Sequence, residues 1–98
     1  SQAWHLMANR KIHTSSKFEK DAALAVRRGK DTTKLRAIIE LLATHQPIPR
    51  EFKDHPLKGN WKNYRDIHIE TDWLLIYKTD DENLWLVRTG SHADLFGG

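Results

Sequence analysis

The chain has 98 residues, with 16 Lys and Arg against 13 Asp and Glu, a net charge of +3 and six histidines. That length holds one small hydrophobic core and excludes a multidomain enzyme. The absence of cysteine removes disulfide scaffolds, thiolate zinc sites and thiol nucleophiles, and no apolar run approaches the ~20 residues that span a bilayer.

Ser1–Leu6 (SQAWHL) precede the only methionine, Met7, and carry neither periodicity nor turn chemistry. They read as an expression remnant, leaving 7–98 as a single domain. No basic, apolar and small-residue signal pattern opens the chain, which points to the cytoplasm. Lys11 to Thr14 suits a first strand. Ser15 or Ser16 can cap a helix running to Arg28, with Glu19 at capping-box spacing from Ser16. Phe18, Ala22, Ala25 and Val26 share one face of that helix, and Gly29 fits just past its end. Asp31 or Thr32 can cap a second helix, in which Leu35, Ile38, Ile39 and Leu42 recur at helical spacing. It must end before Pro47 and Pro49.

From about Phe52 the pattern changes to short β-like runs: Tyr64 to Glu70, Trp73 to Thr79 and Leu84 to Thr89. Alternation places Ile67 and Ile69 on one face and Asp66, His68 and Glu70 on the other. Thr71-Asp72 is a tight connection and Asp80-Asp81-Glu82-Asn83 a hairpin loop. The expected fold is therefore α+β, with two N-terminal helices packed on a small twisted, mainly antiparallel sheet.

Charge is uneven. Residues 8–53 carry 11 basic and 5 acidic side chains, whereas 54–98 carry 5 and 8. With a nucleic-acid partner, phosphate attraction would come from Lys17, Lys20, Arg27, Arg28, Lys30, Lys34 and Arg36. The same residues also suit the solvated faces of amphipathic helices. The sheet half supplies the chemistry: His55, His68 and His92 accompany Asp66, Asp72, Arg65, Arg88 and the aromatics Trp61, Tyr64, Trp73 and Phe96. RNA cleavage needs a base for the 2′-hydroxyl, an acid for the leaving 5′-oxygen, cations for the phosphorane and platforms for the bases. Each residue has a plainer reading too: His55 as a turn residue, Trp73 as core, Phe96 as a C-terminal anchor and Arg88 as an ion-pair partner. Their joint placement is what points to a site, because His68, Asp72 and Trp73 flank one turn while Arg88 and His92 lie at the end of the last strand and just beyond it.

Lys53-Asp54-His55-Pro56-Leu57, Gly59, Trp61, Tyr64-Arg65-Asp66, His68, Asp72-Trp73, Leu75-Ile76-Tyr77-Lys78, Arg88-Thr89-Gly90, His92 and Leu95-Phe96-Gly97 together resemble the YafQ-type toxins of the RelE/ParE superfamily. The preceding helix pair agrees with that family's β-α-α-β-β-β order. The resemblance implies a bacterial type II toxin that cuts messenger RNA in the A site of the 70S ribosome, without a cofactor or metal. It also implies a cognate antitoxin partner, through which alone the toxin would meet operator DNA. Carried over by position, the implied catalytic set is His55, His68, Asp72, Arg88 and His92, with Trp73 and Phe96 packing on RNA. On chemical grounds His92 suits the general acid, His68 or Asp72 the base, and Arg88 the phosphate clamp.

Three other readings remain open at this point. One is a ParE-like inhibitor of DNA gyrase, which would not need the proton-transfer set. Another is a zinc site made by His55, His68, His92 and Asp72, although their spacing matches no local zinc signature. The third is an RNA-binding module that never cuts.

Overall fold

The structure, a computed structural model, describes residues 9–97; the Ser1–Leu6 segment read as a remnant lies outside them. Strand β1 (Lys11–Thr14) leads into helices α1 (Ser16–Arg27) and α2 (Thr32–Ala43), then strands β2 (His55–Pro56), β3 (Arg65–Glu70), β4 (Trp73–Thr79) and β5 (Asn83–Gly90), and helix α3 (His92–Phe96). Single 3-10 turns at Arg50–Phe52 and Gly59–Trp61 flank β2. The five strands are ordered β1-β5-β4-β3-β2. Only the β1–β5 pair is parallel. The expected β-α-α-β-β-β order is present, with β2 and α3 added. Both additions are short, and β2 pairs only through His55 and Pro56, too few residues to leave a periodic signal.

Local chemistry sets the helix ends. Ser15 caps α1 by accepting the Phe18 N–H at 2.9 Å. This places Glu19 one residue beyond the capping-box position, and its carboxylate takes the Thr14 hydroxyl at 2.8 Å instead. Gly29, at φ +76°, turns the chain out of α1, a left-handed conformation that glycine adopts without a Cβ penalty. Asp31 caps α2.

The sheet has two unlike faces. Phe18, Ala25, Leu35, Ile38, Leu42 and Ala43 from the helices pack on Ile67, Ile69, Trp73, Leu75, Tyr77, Leu84 and Leu86. Val26 was expected on that seam but is 61% exposed, at the outer edge of the α1–α2 groove with Ala23 and Arg36. On the opposite face, Leu74, Ile76 and Leu95 form a second, smaller cluster with Leu57, Trp61, Tyr64 and Val87. Asp66 stands opposite Ile76 and His68 opposite Leu74 in the β3–β4 register, so both project from this second face, away from α1 and α2. Among the described residues no helix is long and apolar enough to cross a membrane.

Candidate active site

The two-residue strand β2 exists to place one side chain. Lys53 adopts a left-handed φ of +50°. Asp54 then anchors the chain by accepting the Tyr77 hydroxyl at 2.6 Å and Arg65 Nε at 3.0 Å. His55 follows, directly opposite Asp66 in register. Its Nδ1 lies 2.6 Å from the Lys53 carbonyl; a carbonyl only accepts, so Nδ1 carries the proton and Nε2 is turned into the site.

Three imidazoles line up from there. The ring of His55 is 5.8 Å from that of His68, and His68 is 5.7 Å from His92. Phe96 extends the row, 6.4 Å from His92 and 45% exposed. His92 opens α3, whose start is fixed by Ser91 in a reciprocal capping box with Asp94. Asp72, on the β3–β4 turn, accepts both the backbone N–H of His92 at 2.9 Å and its Nδ1–H at 2.5 Å. His92 Nε2 is therefore free to meet substrate. These bonds, the backbone one first, hold the Asp72 carboxyl below its ordinary range.

Asp66, given no role in the sequence reading, lies beneath this row. It is 3% exposed, and its Oδ2 is 3.7 Å from His55 Nε2 and 3.9 Å from His68 Nε2. Its Oδ1 is buried with no hydrogen-bond partner among the described residues. Burial pushes this carboxyl above its ordinary range, against the pull of His68, His55 and His92. The available signal was the alternation that put Asp66 on the same face as His68.

Among the described residues, the zinc set considered from sequence is not gathered into one group of ligand atoms. A different trio could hold a metal: His55, Asp66 and His68 present ligand atoms all within 4.8 Å of one another, two nitrogens and one oxygen that suit a borderline cation such as zinc.

Other expected residues stand elsewhere. Trp73 is 1% exposed in the helix-side core, and its Nε1–H donates to Thr89 Oγ1 at 3.0 Å. The expectation that it packs on RNA is corrected: the alternation that sends Leu74 to the histidine face sends Trp73 beneath α1 and α2. Arg88 is engaged by Asp21. Lys17, Lys20 and Arg27 are exposed on α1, while Arg28 pairs with Asp94 and Lys34 with Glu70. The helices that carry these charges cover the sheet face opposite the histidines, so the basic half of the chain and its chemical half are on different sides of the sheet.

A small α+β domain with a solvent-open row of three histidines on the sheet face opposite α1 and α2, one of them held by an aspartate, is the class of protein that fold and site define. The chain belongs to the YafQ family, bacterial toxins of type II toxin–antitoxin systems, which it matches over residues 10–97. It is 50% identical over 92 residues to the mRNA interferase toxin YafQ of Escherichia coli K12, covering 93% of this chain and 100% of that one. The E. coli DinJ–YafQ toxin–antitoxin complex superimposes with a TM-score of 0.85 at 50% identity, covering 91% of this chain and 99% of that chain. A metal-bound toxin from Helicobacter pylori superimposes with a TM-score of 0.83 at 44% identity, covering 89% and 99%.

Proposed function

We propose that this chain is an mRNA interferase, the toxin of a type II pair, that cleaves messenger RNA in the ribosomal A site by proton transfer between its own side chains. The observation that carries the reading is the row of His55, His68 and His92 on one open face, with His92 held through Nδ1 by Asp72. That hydrogen bond orients the ring and leaves Nε2 as the working atom, as an aspartate does for a catalytic histidine.

In the reaction the RNA 2′-oxygen attacks phosphorus and loses its proton to a base, and the P–O5′ bond breaks as the 5′-oxygen takes a proton. The products are a 2′,3′-cyclic phosphate and a 5′-hydroxyl. His92 Nε2–H supplies the second proton. Of the two candidates for base, the geometry favours His68, because Asp72 Oδ1 already accepts two bonds from His92. His68 lies midway along the row, and Asp66 beneath it stabilises the imidazolium that forms. His55 steadies the phosphate, and Phe96, exposed beside His92, offers a base its ring. A gyrase-directed toxin would use none of these contacts.

The relatives' complex supports a cognate antitoxin for this chain as well. Lys17, Lys20 and Arg27, exposed on α1, remain the cations for long-range attraction to ribosomal or messenger phosphate. The test is cleavage of a defined message, with and without programmed 70S ribosomes, by the protein and its His92→Ala variant. A ribosome-enhanced cut ending in a 2′,3′-cyclic phosphate and lost in the variant is expected. Growth arrest with no cut under either condition would overturn the reading.

A further inference from the structure

Arg88 stands opposite Ile76, and Ile76 opposite Asp66. The three occupy one row across the sheet, with Arg88 emerging on the histidine face about 10 Å from Asp66 at two strand spacings. Its guanidinium does not lie loose over that face. Nε donates to Asp21 Oδ2 at 2.6 Å and Nη2 to Asp21 Oδ1 at 3.2 Å. The backbone N–H of Thr89, next in the strand, donates to the same Oδ2 at 3.1 Å. The side chains of Arg88 and Asp21 are only 19% and 14% exposed. Asp21 projects from α1, where that helix runs along the edge of β5 beyond the end of β1; Ser15 fixes the approach by donating its hydroxyl to the Val87 carbonyl at 2.7 Å.

We infer that Asp21 is a positioning residue for cleavage: it grips the Nε–Nη2 edge of Arg88 and so presents the Nη1 side of the guanidinium to the scissile phosphate. The inference rests on the reading of this face as an RNA-cleaving centre. Three features carry it. The grip is bidentate and charge-assisted, which fixes the guanidinium plane as well as its position. It takes only one edge, and among the described residues Nη1 has no partner and is not one of the buried, unsatisfied atoms, so a donor remains within solvent reach. Release of Arg88 toward the histidines would strand a largely shielded carboxylate with one backbone N–H for company, a costly state; phosphate therefore comes to Arg88 where it stands. Asp94 on α3 adds its field to that of Asp21, so Arg88 sits between the helix that carries His92 and the helix that carries Asp21.

The experiment is single-turnover cleavage of a defined message on programmed ribosomes by the wild type, Asp21→Asn, Asp21→Glu, Arg88→Ala and the Asp21→Asn/Arg88→Ala pair, each first shown to be folded by its thermal transition. Misplacing a transition-state contact by about 1 Å costs about 10²-fold in rate, so Asp21→Asn should lower the cleavage rate by about that factor with the half-saturating ribosome concentration unchanged. In the Arg88→Ala background it should cost almost nothing more, since the two act as a unit. Asp21→Glu, which keeps the charge and shifts it by one methylene, should fall between wild type and Asp21→Asn, and it is the variant to measure should Asp21→Asn fail to fold. Wild-type cleavage by the folded Asp21 variants, or losses at Asp21 and Arg88 that simply multiply, would overturn the inference alone. No cleavage by the wild type would overturn the functional reading and this inference with it.

Discussion

Replacing Trp73 with phenylalanine separates core from RNA platform. The indole is 1% exposed among Phe18, Ala25 and the helix-side strand residues, and its Nε1–H donates to Thr89 Oγ1, which donates in turn to the Leu74 carbonyl at 2.7 Å. Phenylalanine places its ring where the indole's five-membered ring sits, so it vacates the space of the outer benzo ring and removes the donor. The partial cavity costs about 1–2 kcal/mol, well below the ~3–5 kcal/mol of truncation to alanine. Losing the donor costs about 1 kcal/mol, because Thr89 Oγ1 still has Leu74 to donate to. The total, about 2–3 kcal/mol, is a large share of the ~5–15 kcal/mol that stabilises a domain of this size and should lower its thermal midpoint by roughly 10–20 °C. Thermal unfolding measures the loss, and cleavage assayed well below the variant's midpoint should retain the wild-type rate per folded molecule. A variant as stable as wild type that no longer binds or cuts RNA would refute the burial argument and return Trp73 to the RNA surface.

Three further outcomes follow from the same geometry. Asp94 is held at a pKa of about 2 by Arg28 first and the Ser91 N–H next; a depressed carboxyl stabilises the fold above its unfolded pKa, near 4, and that contribution is lost as pH falls toward about 2. Asp94→Asn should therefore cost about 0.5–2 kcal/mol at neutral pH as a weakened cap and shrink the acid-induced loss between those two values, as read by urea unfolding at each pH. A Cβ added at Gly90 would meet Asp94 Cβ and Oδ2 at 3.0 Å, so Gly90→Ala should push α3 outward, cost about 1–3 kcal/mol and slow cleavage beyond the loss of folded protein by displacing His92; an unchanged rate would show that α3 tolerates the shift. Added Zn²⁺ should occupy His55, Asp66 and His68, whose ligand atoms lie within 4.8 Å of one another, and slow cleavage by taking the base's lone pair, with EDTA restoring the rate on intact ribosomes; acceleration by zinc would contradict the proton-transfer reading.

Much of this fold was legible because its signals are local. Ser15, Gly29 and Asp31 mark helix ends through their own backbone and side-chain preferences, and alternation along residues 66–69 separates the histidine face from the core. An irregularity after His68 turns Glu70 to the helix side, where it pairs with Lys30 and Lys34 instead of joining Asp66 and His68 as alternation placed it. What sequence could not carry was pairing between distant segments. Nothing in Lys11–Thr14 announces that it lies parallel to Asn83–Leu86, and nothing in His55–Pro56 announces a strand. Trp73 shows how one register decides a role: the residue adjoins Asp72 in sequence, yet the pleat that exposes one buries the other. Arg28 and Lys34 read as cations for phosphate and Arg88 as either a phosphate clamp or an ion-pair partner, and each has a carboxylate on another element, Asp94, Glu70 and Asp21, that only tertiary structure identifies.

The two aspartates of the site argue most directly for a division between acid and base. Asp72 is exposed, accepts two hydrogen bonds from His92, and is held below the ordinary carboxylate range. Asp66 is buried, accepts none within hydrogen-bond distance, and is pushed above that range. Environments that drive like groups in opposite directions are how one site provides a proton donor and a proton acceptor at one pH. Asp72 fixes the His92 ring through Nδ1 and leaves its Nε2 unengaged among the described residues. Asp66 lies 3.7 and 3.9 Å from His55 and His68, beyond hydrogen-bond distance. A base must begin neutral and become charged, and a buried carboxylate beneath His68 stabilises the second state more than the first. In the proposed reaction, with His68 as base and His92 as acid, the buried aspartate lies beneath the base and the exposed one behind the acid. Asp66→Asn should accordingly slow cleavage while sparing the fold, because it removes the charge that rewards protonation of His68 and relieves a buried carboxyl of its desolvation; a rate equal to wild type would break this assignment.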